Sequence, residues 1–293
     1  MISIAMATYN GAKYLPEQID SILSQTIQDI EIVISDDCST DNSWSVLEKY
    51  AAQDSRIKIF RNKTNLGFKK NFENVIGFTS GEYVALCDQD DIWEPNHLEV
   101  LLDNLSNKMI SAGNSEMVDG EGNSIGITLK ELEAFDTEND SFQLAMSFLL
   151  FRNPVQGSAM LIKREFFSKA LPIPSDIKYH DAWFSVLSCF YGGLSYIDMV
   201  VTNYRMHNSN VTGHRIKKKS RIWFLLRCTI RCDMSVDRIA MIRTIRERVD
   251  NLSKEHLNLI NSCEKVLLRN RSLVGRLLNF VFRIRHFRTI YTY

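Results

Sequence analysis

Residues 83–95 read YVALCDQDDIWEP. An apolar run ends in three carboxylates, Asp88, Asp90 and Asp91, and Pro95 follows. A buried strand that delivers this much negative charge to one point needs something to offset the repulsion: a metal ion, a helix start or water. The same shape recurs upstream. Ile2 to Ala7 is a short apolar strand leading into Thr8-Tyr9-Asn10-Gly11, and Ile30 to Ile34 leads into Ser35-Asp36-Asp37. Arg56 to Phe60 is a third strand, followed by Asn65-Leu66-Gly67. Helical spacing fills the intervals. Leu15, Ile19, Ile22 and Leu23 line one face between Tyr14 and Gln25, with Pro16 in the first turn, where a missing N–H costs least. Trp44, Val46, Leu47 and Tyr50 mark a helix from Asn42 to Ala52, and a third spans Phe68 to Phe78. Strands joined by helices predict an α/β fold, a mostly parallel sheet flanked by helices on both faces.

Further on, Leu98, Leu101, Leu102 and Leu105 mark a helix after Pro95. Asp119-Gly120-Glu121-Gly122-Asn123 is a turn cluster of hairpin type. Ser141 to Phe151 and Asp181 to Phe190 are helix candidates and Gly157 to Ile162 a strand. Gly192 and Gly193 precede two short strands, Leu194 to Ile197 and Val200 to Tyr204. After His214 the chain reads as helical and basic.

The chain has 293 residues, 45% of them hydrophobic, which suits one large domain or two small ones. No run of about 18 apolar residues appears, so no membrane-spanning helix is expected. MISIAMATYNG does not read as a signal peptide. Six cysteines are scattered with no CxxC pair, the pattern of a reduced cytosolic chain without a zinc site. The net charge of zero hides an asymmetry. From residue 214 on there are 19 Lys and Arg against 6 Asp and Glu, a net of +13, so the preceding body carries −13. A basic tail on an acidic body points to an anionic partner: lipid, nucleic acid or the body itself. Two tail stretches, RIWFLLRCTIR (221–231) and LVGRLLNFVFRIRHFR (273–288), mix large apolar residues with arginine. That composition suits a helix lying in an anionic lipid interface, or one packing its apolar face on the body.

In open parallel sheets ligands bind beyond the carboxyl ends of the strands, where the polar clusters fall. If extended backbone persists past Cys87, Asp88 and Asp90 share one side and Asp91 takes the other. Two carboxylates on one side suit Mg²⁺ or Mn²⁺ shared with a diphosphate. The alternative for Asp91 is a turn before the Pro95 helix. A carboxylate at Asp36-Asp37 can accept the N3–H of a uracil or thymine ring, or accept from guanine, so the contact does not name the base, while Ser39, Thr40 or Asp41 can cap the next helix. Lys69 and Lys70 can meet phosphate or solvent, and Trp93 and Trp183 can stack on sugar or pack inside.

Three stretches near the start, MATYNGAKYLPEQIDSILSQT, EIVISDDCSTDNS and NLGFKKNFENVIGFTSGEYVALCDQDDIWEP, resemble the family 2 glycosyltransferases with the GT-A fold. QGSAMLIKRE, YHDAWFSVLSCFYGG and NYRMHNSNVTG resemble the same family in the second half, most closely its bacterial rhamnosyltransferase-like branch. The resemblance fades in the tail.

It implies a catalytic domain over residues 1–213, with a nucleotide-sugar half (1–107), an acceptor half (108–213) and a basic helical region over 214–293. Ala7, Thr8, Tyr9 and Asn10 would line the donor nucleotide with Asp37 on its N3–H, together with Asn65, Gly67, Lys70, Asp88 and Gln89. Asp88 and Asp90 match the DxD motif, Asp90 as the direct ligand of Mn²⁺ or Mg²⁺; apart from the resemblance, His207 after the last strand can be a further ligand at the metal or diphosphate, or a packed, hydrogen-bonded residue. Asp181 matches the catalytic base. Many members carry Glu-Asp there and this chain has His180-Asp181, so His180 either tunes the aspartate or packs.

The implied reaction is an inverting displacement from a dTDP- or UDP-linked sugar, rhamnose favoured, onto a glycan or lipid-linked acceptor in cell-surface polysaccharide synthesis. The implied place is the cytoplasm, with peripheral contact to the inner membrane through the tail. Two other classes compete. A non-catalytic sugar-nucleotide or glycan-binding protein needs no base, so the presence of Asp181 with Asp88 and Asp90 counts against it. A nucleic-acid binder is disfavoured by the acidic body and the lack of clustered aromatics on a basic surface, so no nucleic-acid partner is expected.

Overall fold

A computed structural model of the chain describes residues 1–133, 141–150, 153, 155–207 and 234–269. The tail stretches 221–231 and 273–288 lie outside the described residues. Four parallel strands form the first half: β1 (Ile2–Thr8), β2 (Ile30–Asp36), β3 (Ile57–Arg61) and β4 (Tyr83–Asp88). They are linked by α1 (Leu15–Leu23), α2 (Ser43–Gln53) and α3 (Phe68–Phe78). Their order in the sheet is β3-β2-β1-β4. The chain therefore leaves β1 in one direction and returns on its other side as β4. That reversal is a topological switch point, and it puts α1 and α2 on one face and α3 on the other.

Side-chain alternation along the strands builds a core on each face. Ile2, Ile4 and Met6 of β1 join Ile32, Ile34, Leu15, Ile19 and Leu47 on one side. Ala5, Val33, Val84 and Leu86 join Phe72 and Val75 of α3 on the other.

The second half is mixed in direction. After β5 (Ile92–Trp93) and α4 (His97–Asp103) come β6 (Ile110–Val118) and β7 (Ser124–Thr128), an antiparallel hairpin closed at Asp119–Asn123 as expected. Two short helices follow, α5 (Leu129–Glu133) and α6 (Ser141–Leu150). A 3₁₀ turn at Gly157–Ala159 occupies the start of the expected 157–162 strand, and only Met160–Lys163 forms β8. β8 lies antiparallel between β4 and β6. After α7 (Phe167–Ala170) and α8 (His180–Ser188), the two expected short strands are one continuous strand, β9 (Leu194–Arg205). It runs parallel to β6, and register shifts at Gly113–Asn114 and Asn114–Ser115 absorb the irregularity that made it read as two.

Two described C-terminal helices, α9 (Met234–Arg248) and α10 (Lys254–Arg269), complete the larger core. Ile242, Ile245, Ile260 and Cys263 pack in one cluster with Phe148, Trp183 and the sheet. This part of the basic region therefore packs on the body. Among the described residues no helix is long and apolar enough to cross a membrane. Among the described residues no two cysteines form a disulfide.

Candidate active site

The β1 and β4 ends meet in register at the switch point, with Ala7 opposite Asp88, while Thr8 faces Asp36 of β2. β4 stops at Asp88, and Gln89-Asp90 form a turn. The expected strand-like alternation of Asp88, Asp90 and Asp91 is thus replaced. The cause is Gln89, whose amide bridges back to the first strand. Its Oε1 accepts from Thr8 Oγ1 at 2.6 Å and from the Tyr9 amide at 2.8 Å, and its Nε2 donates to the Tyr9 carbonyl at 3.1 Å. Gly11 makes room for that side chain: a Cβ there would lie 2.3 Å from Gln89 Oε1. Thr8 and Gln89, expected to touch the donor, first of all hold the two strand ends together.

On the β2 side, Asn10 takes a left-handed backbone (φ 51°) that asparagine tolerates, and its Oδ1 accepts from the Thr40 amide at 2.8 Å. Asp37 is buried. Its carboxylate accepts from Asn62 Nδ2 (2.8 Å), the Leu66 amide (2.9 Å) and the Gly67 amide (2.8 Å). Three donors on two oxygens leave about one acceptor direction open. Asn65 Oδ1 also accepts from the Gly67 amide at 3.1 Å. Gly67 itself sits at φ +81°, where a side chain would be strained, and starts α3. Tyr9 (45%) and Leu66 (43%) are exposed large side chains at this end of the sheet. Asp36 is fully buried beneath, 3.2 Å from Arg61 Nε, and structural. Neither Ser39, Thr40 nor Asp41 is the residue before α2, which is Asn42; Asp41 instead accepts from the Ser43 amide and hydroxyl.

The carboxylates converge. Burial and the charges of Asp91, Asp90 and Asp181 hold the Asp88 carboxyl well above the ordinary carboxylate range. Asp181, distant in sequence, lies by the Gly157 turn, where a Gly157 Cβ would sit 3.8 Å from its own, and the flanking Gln156 and Ser158 bond Asp91 at the tip of β4. Asp90 Oδ2 lies 2.7 Å from His207 Nε2, so the two residues expected at a metal are adjacent. Tyr14 stacks on the His207 ring with centroids 4.8 Å apart.

Asp91 has another role. It is buried, bonded by the Ser158 hydroxyl, by Gln156 Nε2 (3.4 Å) and by the Arg205 amide (3.1 Å). Burial and Asp90 push it up to about 7 despite those donors. Its partners lie across the sheet, not in a turn before α4, which begins only at His97.

Arg205 went unnoticed in the sequence. Only 2% exposed, it donates from Nε to the Asp90 carbonyl (2.9 Å) and from Nη1 to the Gly120 carbonyl (3.2 Å), and pairs with Glu17. One guanidinium thereby ties the acidic turn to α1 and to the β6–β7 hairpin.

Asp181 is the second residue of α8, where the helix N-terminus favours an anion. Burial nevertheless raises it to about 6, against the Ala182 amide that donates to Oδ1 at 2.6 Å. His180 does not tune it. The imidazole is buried against Phe72 (centroids 4.2 Å apart), both ring nitrogens lack hydrogen-bond partners among the described residues, and burial lowers its pKa to about 3, so it packs as a neutral ring. Trp93 and Trp183 are buried core residues, which removes them as sugar platforms. Lys70 is exposed and ion-paired with Glu73, and Lys69 binds backbone carbonyls.

Among the described residues no three ligating side chains form a ready cation cluster. The donor chemistry of the tip still fits a hard cation: carboxylates at Asp88 and Asp90 with one imidazole, and like-charge repulsion that a cation would relieve.

Solved structures place this architecture among the GT-A glycosyltransferases. Residues 1–349 of S. aureus TarS, in complex with UDP-GlcNAc, superpose with a TM-score of 0.60 over 98% of this chain and 91% of that one, at 14% identity. The mannosyltransferase PcManGT of Pyrobaculum calidifontis, in complex with GDP-Man and Mn²⁺, gives 0.57 over 98% and 80%, at 15% identity. An uncharacterized glycosyltransferase of Haemophilus influenzae is 31% identical over 249 residues, covering 77% of this chain and 74% of its own. TuaG of Bacillus subtilis, named for teichuronic acid biosynthesis, is 26% identical over 235 residues, covering 78% and 87%. The sequence pattern described as Glycosyl transferase family 2 matches residues 3–169. The chain belongs to glycosyl transferase family 2 and is a glycosyltransferase.

Proposed function

We propose that the protein transfers a sugar, with inversion, from a nucleoside-diphosphate donor to a glycan acceptor in cell-surface polysaccharide synthesis. One observation carries the reading: Asp181, remote in sequence, comes to the Gly157 turn, where a Gly157 Cβ would lie 3.8 Å from its own, and the flanking Gln156 and Ser158 bond Asp91 beside the Asp88–Asp90 tip. TuaG's name supports the polysaccharide setting, and the TarS and PcManGT ligands support a nucleotide-sugar donor. The donor base would lie between Tyr9 and the 62–67 loop, with Asp37 meeting its N3–H through its remaining acceptor direction and Ala7, Asn10, Asn65 and Gly67 shaping the floor. Lys70 would reach the diphosphate only by leaving Glu73.

In the proposed displacement, the acceptor hydroxyl oxygen bonds to the anomeric carbon as the bond from that carbon to the diphosphate oxygen breaks. The nucleoside diphosphate leaves with the electron pair, and the hydroxyl proton passes to Asp181. A base raised to about 6 is ionised at neutral pH yet basic enough to take that proton. Mn²⁺ or Mg²⁺ held by Asp90 and His207, with Asp88 beside them, would neutralise charge growing on the leaving diphosphate. PcManGT's Mn²⁺ supports this cofactor. Rhamnose remains the favoured sugar on the motif resemblance.

Thermal shift with dTDP-rhamnose, UDP-N-acetylglucosamine and GDP-mannose, each with and without Mn²⁺, identifies the donor through ligand-linked stabilisation. Stabilisation by one of them, enhanced by Mn²⁺ and lost in Asp90→Asn, is expected. Asp181→Asn should lower turnover by about 10²–10⁴. No stabilisation by any nucleotide sugar, or an Asp181→Asn enzyme at full rate, overturns the reading.

The acceptor is proposed to be lipid-linked and the site of action the cytoplasmic face of the inner membrane, on the strength of the +13 charge after residue 213. Flotation of the full chain with anionic vesicles at low salt, reversed by high salt, is the expected result. A chain that stays unbound excludes it.

A further inference from the structure

We infer that Lys69, backed by Glu73, is a positioning residue for Asp181, and that α3 thereby holds the catalytic base to the nucleotide-side loop. The inference rests on the proposed role of Asp181. The Lys69 ammonium donates to three carbonyls of a single loop: Pro174 at 3.2 Å, Ser175 at 2.9 Å and Ile177 at 2.7 Å. An ammonium has three N–H donors, so none is left for a phosphate. One turn further along α3, Glu73 Oε1 accepts from the Ile173 amide at 2.7 Å, and Lys70 pairs with the same carboxylate.

The loop fixed in this way, 173–179, leads directly into α8, whose second residue is Asp181. Phe68 and Phe72, on the same helix, pack against Tyr179 and His180 at the junction. The start of α3 is meanwhile set by Asp37, which binds the Leu66 and Gly67 amides. A continuous path of contacts thus runs from Asp37 through α3 to the helix carrying the base. Such fastening matters because a misplacement of about 1 Å at a reacting group can cost about 10²-fold in rate.

The test is a double-mutant cycle on the full chain with dTDP-rhamnose and UDP-N-acetylglucosamine as donors, read as nucleoside diphosphate release. Lys69→Met should lower kcat by about 10- to 100-fold with the donor KM within about 2-fold, and Lys69→Arg should recover part of the loss. In the Asp181→Asn background Lys69→Met should have little further effect, because two residues acting through one step are not additive. Hydrogen exchange of the ligand-free chain should show faster exchange over residues 173–182 in Lys69→Met. If Lys69→Met fails to fold, Glu73→Gln carries the same predictions at smaller size. A Lys69→Met effect of equal size in both backgrounds, a rise in donor KM instead of a fall in kcat, or unchanged exchange over 173–182 overturns the inference. An Asp181→Asn enzyme at full rate overturns the base assignment instead, so the two failures are separable.

Discussion

Asp181 trades stability for chemistry. A carboxyl whose folded pKa is raised to about 6 binds protons more tightly when folded than when unfolded, so its ionisation penalises the fold at every pH above the ordinary value of 3.8. The penalty grows from there to about pH 6 and is constant above it. Asp181→Asn keeps an oxygen for the Ala182 amide and removes the charge. It should therefore raise stability at pH 7–8 by about 1–3 kcal/mol while lowering turnover by about 10²–10⁴, which denaturant melts beside rate assays check. In the wild type, kcat should fall as pH drops below about 6, as the base becomes protonated. Asp91 is raised in the same direction, to about 7, but its removal should have the opposite effect on stability. It sits among the same charges but serves Ser158, Gln156 and Arg205, so Asp91→Ala leaves buried donors unpaired. A loss of at least about 2 kcal/mol is expected in urea unfolding.

At the scale of elements, the strands are fastened at both ends. Beyond their carboxyl ends Gln89 joins β1 to β4. At the opposite end buried Glu31 of β2 accepts from Ser3 of β1 (2.6 Å), from the Ser80 amide and hydroxyl ahead of β4, and from Lys58 of β3 (2.7 Å). Burial pushes its carboxyl up, but Lys58, Ser3 and Ser80 prevail and bring it down to about 2. A lowered folded pKa means stabilisation that is fully present above the unfolded value of about 4.5 and is lost as pH falls toward 2. Glu31→Gln should be less stable than wild type at pH 7, and the difference should shrink through that window in acid titrations followed by circular dichroism.

The whole molecule closes around its C-terminal helices. Ile242, Ile245, Ile260 and Cys263 of α9 and α10 share one core with Trp183, Phe148 and the sheet. Arg248 Nη1 donates to the Ala170 carbonyl at 3.2 Å, and the Tyr191 hydroxyl donates to the Arg248 carbonyl at 2.8 Å. A truncation ending at residue 213 would strip apolar cover from α6 and α8, the latter carrying Asp181. Such a chain should lose near-ultraviolet circular dichroism, bind apolar dye and have no transferase activity. A truncation that stays cooperative and active would show that the family-like part folds alone.

The parallel half of the sheet, its helices and the polar strand ends were legible in the sequence, because period-2 and period-3.6 patterns and turn residues are local signals set by backbone geometry. Residue types fixed by chemistry, such as the carboxylates of the DQDD tip, were legible for the same reason. The antiparallel insertion of β8, the fusion of two apparent strands into β9 and the packing of α9 and α10 were not, since each depends on what lies alongside. The same holds within the site. His207 meets Asp90 across 117 residues, Arg205 reaches the Asp90 carbonyl across 115, and Lys69 spends its charge on a loop more than 100 residues away. A sequence fixes which groups a chain can offer at its strand ends. Only folding decides which of them are consumed by one another and which stay open, because that choice is made by burial and by partners distant along the chain.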